Sequence, residues 1–183
     1  MAIPGITRWI ALLRGINVGG HRKLPMAELR DLCADLGWQD VQTFIQSGNV
    51  VFSEGSDSAV LERNLEQAIR SRYGFDVPVI LRTAQQWRLI CDGNPFPGAS
   101  AKEPNLVLAC FSRFAFPDSA AAEIEARGTQ SERAILSGDT LWIHFAGGSG
   151  RSKITPAVLD RQAGTPVTTR NWRTIVKINE MIN

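Results

Sequence analysis

Two glycine-rich loops that carry basic residues are the parts of this 183-residue chain whose residue types could do chemistry. They span residues 14–23 and residues 146–153. Glycines let backbone amides converge on an anion, and nearby Arg or Lys side chains supply the opposite charge. The pattern predicts a site for a phosphate or a carboxylate. The candidate ligand-binding residues are Arg14, Gly15, Asn17, Gly19, Gly20, Lys23, Ser47, Asn49, Gly148, Gly150, Arg151, Lys153, Arg170 and Asn171.

Neither loop matches a known nucleotide-binding fingerprint, so a structural alternative stays open for both. Residues 14–23 lack the G-x-G-x-x-G spacing, and no Gly-Lys-Ser/Thr ends them as in a Walker loop. In that alternative the glycines are present because the loop backbone needs positive φ angles, and the basic side chains are only solvated. Pro25 also removes one amide from the start of the following helix, and Asn171 is a candidate N-cap of the last helix.

The sequence offers no catalytic constellation. His21 and His144 have no third ligand at metal spacing, so neither a metal site nor a cofactor is expected. There is no G-x-S-x-G elbow, no Cys-His pair and no closely spaced pair of carboxylates. The catalytic residues therefore stay unknown, and so does whether the chain is an enzyme. Three cysteines lie in apolar patterns that favour reduced core thiols: Cys33, Cys91 and Cys110.

Composition limits the classes of partner. A net charge of +2 is too small for a general nucleic-acid or membrane binder. Strand aromatics such as Phe52 and Trp142 are typical of some RNA readers, but their neighbours do not match the RNA-recognition pattern, which disfavours nucleic acid. No apolar run approaches the ~20 residues of a membrane span, and the N-terminus lacks a signal-peptide pattern. We expect a cytoplasmic protein without a membrane partner.

A strand–helix pattern that occurs twice positions the two loops. An apolar strand precedes a helix beginning near Pro25, then two strands flank a tight two-residue turn at Ser47-Gly48, and a further helix and strand follow. The second half repeats this order, with Ser137-Gly138 in its turn. The order βαββαβ predicts an α+β fold of duplicated ferredoxin-like units, with antiparallel sheets and an extra helix after each unit.

The predicted domain organisation has a first repeat with its trailing helix at residues 1–92 and a second repeat with its C-terminal helix at residues 105–183. Residues 93–104 are rich in Gly and Pro and are interpreted as the linker. In the ferredoxin-like topology, residues 14–23 should lie beside the Ser47-Gly48 turn. The loop at residues 146–153 leaves its repeat at the opposite edge, so each repeat carries one basic loop at a non-equivalent position.

Six segments together resemble one family, the bacterial domain-of-unknown-function family 1697. They are LLRGINVGG (12–20), PMAELRDL (25–32), TFIQSGNVVF (43–52), NPF (94–96), GRSKIT (150–155) and TTRNWRTIVKINEM (168–181). The resemblance implies a compact cytoplasmic bacterial α+β protein with ferredoxin-like repeats. It supplies no activity and no catalytic residue.

These observations favour a binding module for an anionic small molecule that bears a phosphate or a carboxylate. Two other classes stay open. One is an enzyme that acts on a phosphorylated small molecule through electrostatic positioning, and the other is an interaction protein that pairs through its sheets.

Overall fold

The computed structural model describes residues 5–129 and 131–183, and each half of the chain forms one βαββαβ unit followed by a helix. The first repeat consists of β1 (Thr7–Leu13), α1 (Met26–Asp35), β2 (Gln39–Phe44), β3 (Asn49–Glu54), α2 (Ser58–Tyr73), β4 (Val79–Thr83) and α3 (Ala84–Asp92). After α4 (Pro97–Lys102), the second repeat consists of β5 (Val107–Ser112), α5 (Ala120–Arg127), β6 (Glu132–Ser137), β7 (Thr140–Phe145), α6 (Pro156–Ala163), β8 (Val167–Asn171) and α7 (Trp172–Met181).

Both sheets have the predicted ferredoxin-like topology. The strand orders are β2-β3-β1-β4 and β6-β7-β5-β8, and all neighbouring strands are antiparallel. The α+β class, the duplication and the helix after each unit are therefore confirmed.

Each repeat builds its own core between one face of its sheet and its helices. In the first repeat, Leu29 of α1 and Leu65 of α2 pack with the strand residues Leu13 and Phe52. Ile10 lies on the opposite face of β1 from Leu13 and is also fully buried, so β1 is covered on both faces. This explains why its sequence is a continuous apolar run and not an alternating one.

The core of the second repeat has the same construction. Ile124 of α5 and Leu159 of α6 pack against Ile143 and Val167 of the sheet. Trp142 lies between Leu141 and Ile143 on β7, and its side chain is fully buried on the other face.

Helix carboxylates cover the outer amides of edge strands in both repeats. The β4 amides of Val79 and Leu81 donate to Glu66 (2.9 Å) and Glu62 (3.0 Å) of α2. In the second repeat, the Val167 amide of β8 donates to Asp160 (2.9 Å). A carboxylate here takes the place of a further strand, which satisfies the amide and blocks additional pairing.

The two hairpins differ, and the prediction of a two-residue turn at Ser47-Gly48 is wrong. Strand pairing ends at Phe44 and Asn49, so residues 45–48 form a four-residue loop. The second hairpin is tight, since Ser137 pairs with Thr140 around residues 138–139. In the longer first turn, the Gln46 carbonyl accepts a hydrogen bond from the Asn17 side chain of the preceding loop.

The segment between the repeats contains a helix. The Asn94 side chain accepts from the Phe96 amide (2.9 Å) and donates to the Ser100 hydroxyl (2.7 Å), which fixes the chain around the start of α4. By their internal contacts, the described residues divide into two compact units, residues 5–87 with 178–183, and residues 88–177.

Candidate functional site

The loop that follows β1 is a small hairpin anchored at both ends in the core of the first repeat. Ile16 and Leu24 are both buried there. Between them, the His21 amide donates to the Val18 carbonyl at 3.0 Å, and residues 19–20 form the turn. Both turn glycines have positive φ angles, 58° and 78°, which explains why glycine stands at these two positions.

The Asn17 side chain holds this loop in place. Its Oδ1 accepts from the Leu24 amide (2.9 Å), and its Nδ2 donates to the carbonyls of Leu24 (2.9 Å) and Gln46 (2.8 Å). Its backbone has a φ of 55°, a left-handed conformation that Asn tolerates better than most residues. These three bonds use both side-chain hydrogens, so Asn17 joins the loop to the β2–β3 turn.

Gly48 allows that turn to approach the loop closely. A Cβ at this position would lie 2.7 Å from both the Leu13 Cβ and the Ile16 Cδ1. The Asn49 side chain is buried and donates to the Phe44 carbonyl (2.9 Å) and the Ser47 hydroxyl (3.2 Å). The structure thus brings Ser47 and Asn49 to the edge where the first loop lies, with Asn49 closing the turn.

The positive charge of the first loop lies outside this framework. His21, Arg22 and Lys23 are exposed, whereas Arg14 is half-buried. Neither Arg22 nor Lys23 has an acidic partner among the described residues. The Arg22 guanidinium lies over Gly15, with its Nη1 3.4 Å from where a Cβ would stand. Arg22 was not among the predicted site residues, although its place beside Lys23 in a glycine-rich loop was a usable signal.

The loop that follows β7 is ordered by its own turns. The Gly148 amide donates to the Phe145 carbonyl (2.8 Å), and the Ser152 amide donates to the Ser149 carbonyl (3.2 Å). Ile154 is buried and ends the loop. Gly150, Arg151 and Lys153 are exposed, and Gly148 has a φ of 81°.

A buried carboxylate lies beneath this second loop. The Glu132 side chain is 2% exposed, and its Oε2 accepts from the Thr129 amide (2.7 Å) and the Thr129 hydroxyl (2.9 Å). Hydrogen bonding from the Ser152 hydroxyl, then from Thr129, holds the pKa of Glu132 at about 2 against the opposing effect of burial. Glu132 is therefore an internal anion that a residue of the basic loop itself stabilises.

Glu132 was missed from the sequence, but its position in β6 carried a signal. Glu132 and Ala134 are buried while Arg133 and Ile135 are exposed, so β6 alternates with period two. A charged residue at the inward phase of such a strand requires a polar partner. Thr129 is close to Glu132 in the sequence, but the sequence does not show the contact with Ser152, which comes from a separate loop.

The side chains of Arg170 and Asn171 form hydrogen bonds within the second repeat. Arg170 is 6% exposed and donates to the Thr168 hydroxyl and the Thr169 carbonyl, both at 2.8 Å. Burial lowers its pKa to about 10. The Asn171 Oδ1 accepts from the Thr174 amide at 3.0 Å and is the N-cap of α7. β7 and β8 end at the same edge of the sheet, with β5 between them, so Arg170 and Asn171 lie at the edge where the second loop begins.

Nucleophiles and metal ligands are not clustered in the described parts of the chain. Residues 5–129 and 131–183 contain no group of three or more His, Cys, Asp or Glu that could hold a metal ion. The three cysteines form no disulfide, and burial raises the pKa of Cys33 to about 12 and that of Cys91 to about 11. These thiols are protonated at neutral pH, which makes them poor nucleophiles.

The fold and the two loops define a class, an α+β protein of two ferredoxin-like repeats with one glycine-rich basic loop in each. The profile of one family, described as a protein of unknown function (DUF1697), matches residues 6–142. The chain belongs to this family.

A solved structure shares the fold over almost the whole chain. It is that of a conserved bacterial protein from Streptococcus pneumoniae, which is similar to this chain with a TM-score of 0.72 and 24% sequence identity. The alignment covers 97% of this chain and 99% of the other. No curated protein matches the sequence. Among the described residues, no helix is long and apolar enough to cross a membrane.

Proposed function

We propose that this protein is a binding module for a phosphate- or carboxylate-bearing ligand, with residues 14–23 as its principal site. One observation carries this proposal. The loop is held in shape by the Asn17 side chain and by the buried Ile16 and Leu24, while the side chains of Arg22 and Lys23 stay exposed. Because the backbone is already ordered, binding an anion has to order only the two side chains, which keeps the entropy cost of binding small.

The open space around the two exposed turn glycines of the same loop also supports the proposal. A Cβ added at Gly20 would meet nothing within 4 Å, and one at Gly19 only the edge of the His21 ring. A ligand oxygen therefore has open space beside these two residues. Hydrogen bonds to an ionised acceptor are shorter and stronger than those between neutral groups, and backbone amides of a glycine turn can supply them.

The second loop is a weaker candidate for the same chemistry. Arg151 and Lys153 are exposed beside Gly148 and Gly150, as an anion site requires. However, the ionised Glu132 beneath the loop carries a negative charge that repels an incoming anion. We therefore rank residues 146–153 as a second and lower-affinity site.

The two other classes have less support from the structure. Pairing through the sheets is disfavoured at β4 and β8, whose outer amides bond to helix carboxylates, and at β6, where the Ala134 amide donates to Glu125 (2.8 Å). An enzyme acting by electrostatic positioning would use the same loop as the binding module. Turnover of a bound phosphorylated compound separates these two classes.

The proposal is tested by titrating ¹⁵N-labelled protein with inorganic phosphate and following the amide shifts. We expect saturable shifts at residues 15 and 19–23. Lys23→Ala should weaken binding roughly tenfold, because one charge-assisted hydrogen bond contributes about 1.5 kcal/mol. Lys153→Ala should change the affinity at residues 14–23 by less than twofold.

Arg63→Ala is the matched control, since Arg63 is an exposed cation on α2, away from both loops in sequence. It tests whether removing any positive charge weakens binding. Equal affinities for Lys23→Ala and Arg63→Ala would exclude residues 14–23 as the site. Unchanged thermal stability in both variants is required for either reading.

A further inference from the structure

Two exposed aliphatic side chains lie at the same end of the first repeat as the basic loop. Val18 is 66% exposed and Ile45 is 47% exposed. The hydrogen bond from Asn17 to the Gln46 carbonyl joins the segments that carry them. We call residues 14–23 together with 45–48 the loop surface. It combines aliphatic groups with the exposed cations Arg22 and Lys23.

Ile45 has a backbone conformation that its residue type disfavours. Its φ is 50°, in the left-handed region where a β-branched residue is an outlier. Asn17, in the same region, is compensated by its three side-chain bonds, but Ile45 has only a 3.5 Å bond between its carbonyl and the Gly48 amide. Ile45 is not among the residues that form the core of its own repeat. Strain of this kind points to a use of the side chain at the surface.

The loop surface suits a macromolecule better than a small molecule alone. Small-molecule sites are concave and bury most of the ligand, whereas Val18 projects from the tip of a hairpin. The loop surface contains no Phe, Tyr or Trp, the side chains on which single-stranded nucleic acids stack and with which interfacial membrane segments anchor. Mixed aliphatic groups and cations are complementary to an acidic protein segment that carries aliphatic residues.

We propose that the loop surface binds an acidic, aliphatic segment of a partner protein. Carboxylates of the segment would pair with Arg22 and Lys23, and an aliphatic side chain would contact Val18 and Ile45. This inference rests on the proposed function, because it names the carrier of the anionic group. It adds the requirement that affinity depends on apolar contact as well as on charge.

The test uses three fluorescein-labelled peptides with four repeats each of Glu-Glu-Leu, Glu-Glu-Gly or Lys-Lys-Leu, measured by fluorescence anisotropy with the full chain. We expect the Glu-Glu-Leu peptide to bind at least fivefold more tightly than the Glu-Glu-Gly peptide, and the Lys-Lys-Leu peptide not to bind. Amide shifts caused by the Glu-Glu-Leu peptide should map to the loop surface.

One variant separates this inference from anion binding itself. Ile45→Asn lies outside residues 14–23 and should abolish the preference for Glu-Glu-Leu over Glu-Glu-Gly while leaving inorganic phosphate binding unchanged. Arg63→Ala should leave both measurements unchanged. If phosphate does not bind to residues 14–23 at all, the proposed function fails, whatever affinities the peptides have.

The inference is overturned if phosphate binds but the Glu-Glu-Leu and Glu-Glu-Gly peptides have equal affinities. It is also overturned if a 12-nucleotide single-stranded DNA or phosphatidylserine vesicles bind the loop surface more tightly than the Glu-Glu-Leu peptide. Shifts that map outside residues 14–23 and 45–48 would have the same consequence.

Discussion

The two repeats share one strand order but lengthen different connections. In the first repeat the connection from β1 to α1 spans residues 14–25, whereas the equivalent connection in the second repeat spans residues 113–119. From β3 to α2 the first repeat needs only residues 55–57, whereas the second uses residues 146–155. The helix-on-sheet core fixes where strands end and leaves loop length free. Duplication thus produced two basic loops that are not copies of each other.

The polar group that orders each loop also differs, and this difference has an electrostatic consequence. The first loop is held by the neutral amide of Asn17, and the second lies over the ionised carboxylate of Glu132. A neutral clamp leaves the charges of Arg22 and Lys23 without internal compensation. A buried anion offsets part of the charge of Arg151 and Lys153. The comparison favours the first loop as the anion site.

The largest expected effect on stability comes from the difference between the two hairpin turns, of which only the first packs closely at its glycine. Gly48→Ala places a Cβ 2.7 Å from Leu13 and Ile16 at a φ of 80°. We expect a loss of about 3 kcal/mol in the free energy of unfolding, from overpacking and left-handed strain together. Gly138→Ala, with a φ of 56° but open space around the new Cβ, should lose only about 1 kcal/mol. Urea unfolding measures both, and equal losses would contradict the close approach at Gly48.

The next effect tests the neutral clamp of the first loop. Asn17→Gly keeps a residue that tolerates a φ of 55° and removes three side-chain hydrogen bonds. We expect a loss of about 2 kcal/mol in unfolding free energy. Asp40→Gly is the control, because Asp40 has a φ of 51° and is exposed. A loss no greater than that of the control would show that the Asn17 side chain does not hold the loop.

The charged support of the second loop should show in the pH dependence of stability. The pKa of Glu132 is about 2 in the folded chain, below its ordinary value of 4.5. The stabilisation is therefore complete above pH 4.5 and is lost as the pH falls from 4.5 to 2. Glu132→Gln should cost about 1 kcal/mol at pH 7 and remove this part of the pH dependence.

Unfolding midpoints at pH 7, 4.5 and 3 measure this difference between wild type and Glu132→Gln. Asp139→Asn removes an exposed carboxylate from the adjacent turn and should leave the pH profile as in wild type. If the unfolding midpoint of Glu132→Gln depended on pH as in wild type, a group other than Glu132 would be responsible for this pH dependence.

The smallest expected effect has the opposite sign. Ile45→Asn replaces a β-branched residue at a φ of 50° by one that tolerates this region. Relief of left-handed strain of about 1–2 kcal/mol is partly offset by the half-buried area of Ile45, so we expect a net gain of about 0.5 kcal/mol. A clear loss of stability would mean that Ile45 serves the core and not the surface.

Sequence periodicity determined the fold because each repeat builds its own core from local patterns. The apolar run of β1, the inward face of α1 with Leu29 and Cys33, and the left-handed cap at Gly74 are all visible in the sequence. These signals depend on neighbours three or four residues apart, or on alternation along one strand. The same signals placed residues 14–23 beside the β2–β3 turn, as the bond between Asn17 and Gln46 confirms.

Only the tertiary structure decided what the motif residues do. Four asparagines lie in the segments that resemble the family: Asn17, Asn49, Asn94 and Asn171. Each has its side chain hydrogen-bonded to the backbone of its own repeat or segment. The sequence also did not distinguish the buried Arg170 from the exposed Arg22. Whether a polar side chain faces water or an internal partner depends on residues distant in the chain, brought together by packing. Glu132 lies on β6 and its partner Ser152 lies in the loop after β7, so no local sequence pattern contains that contact.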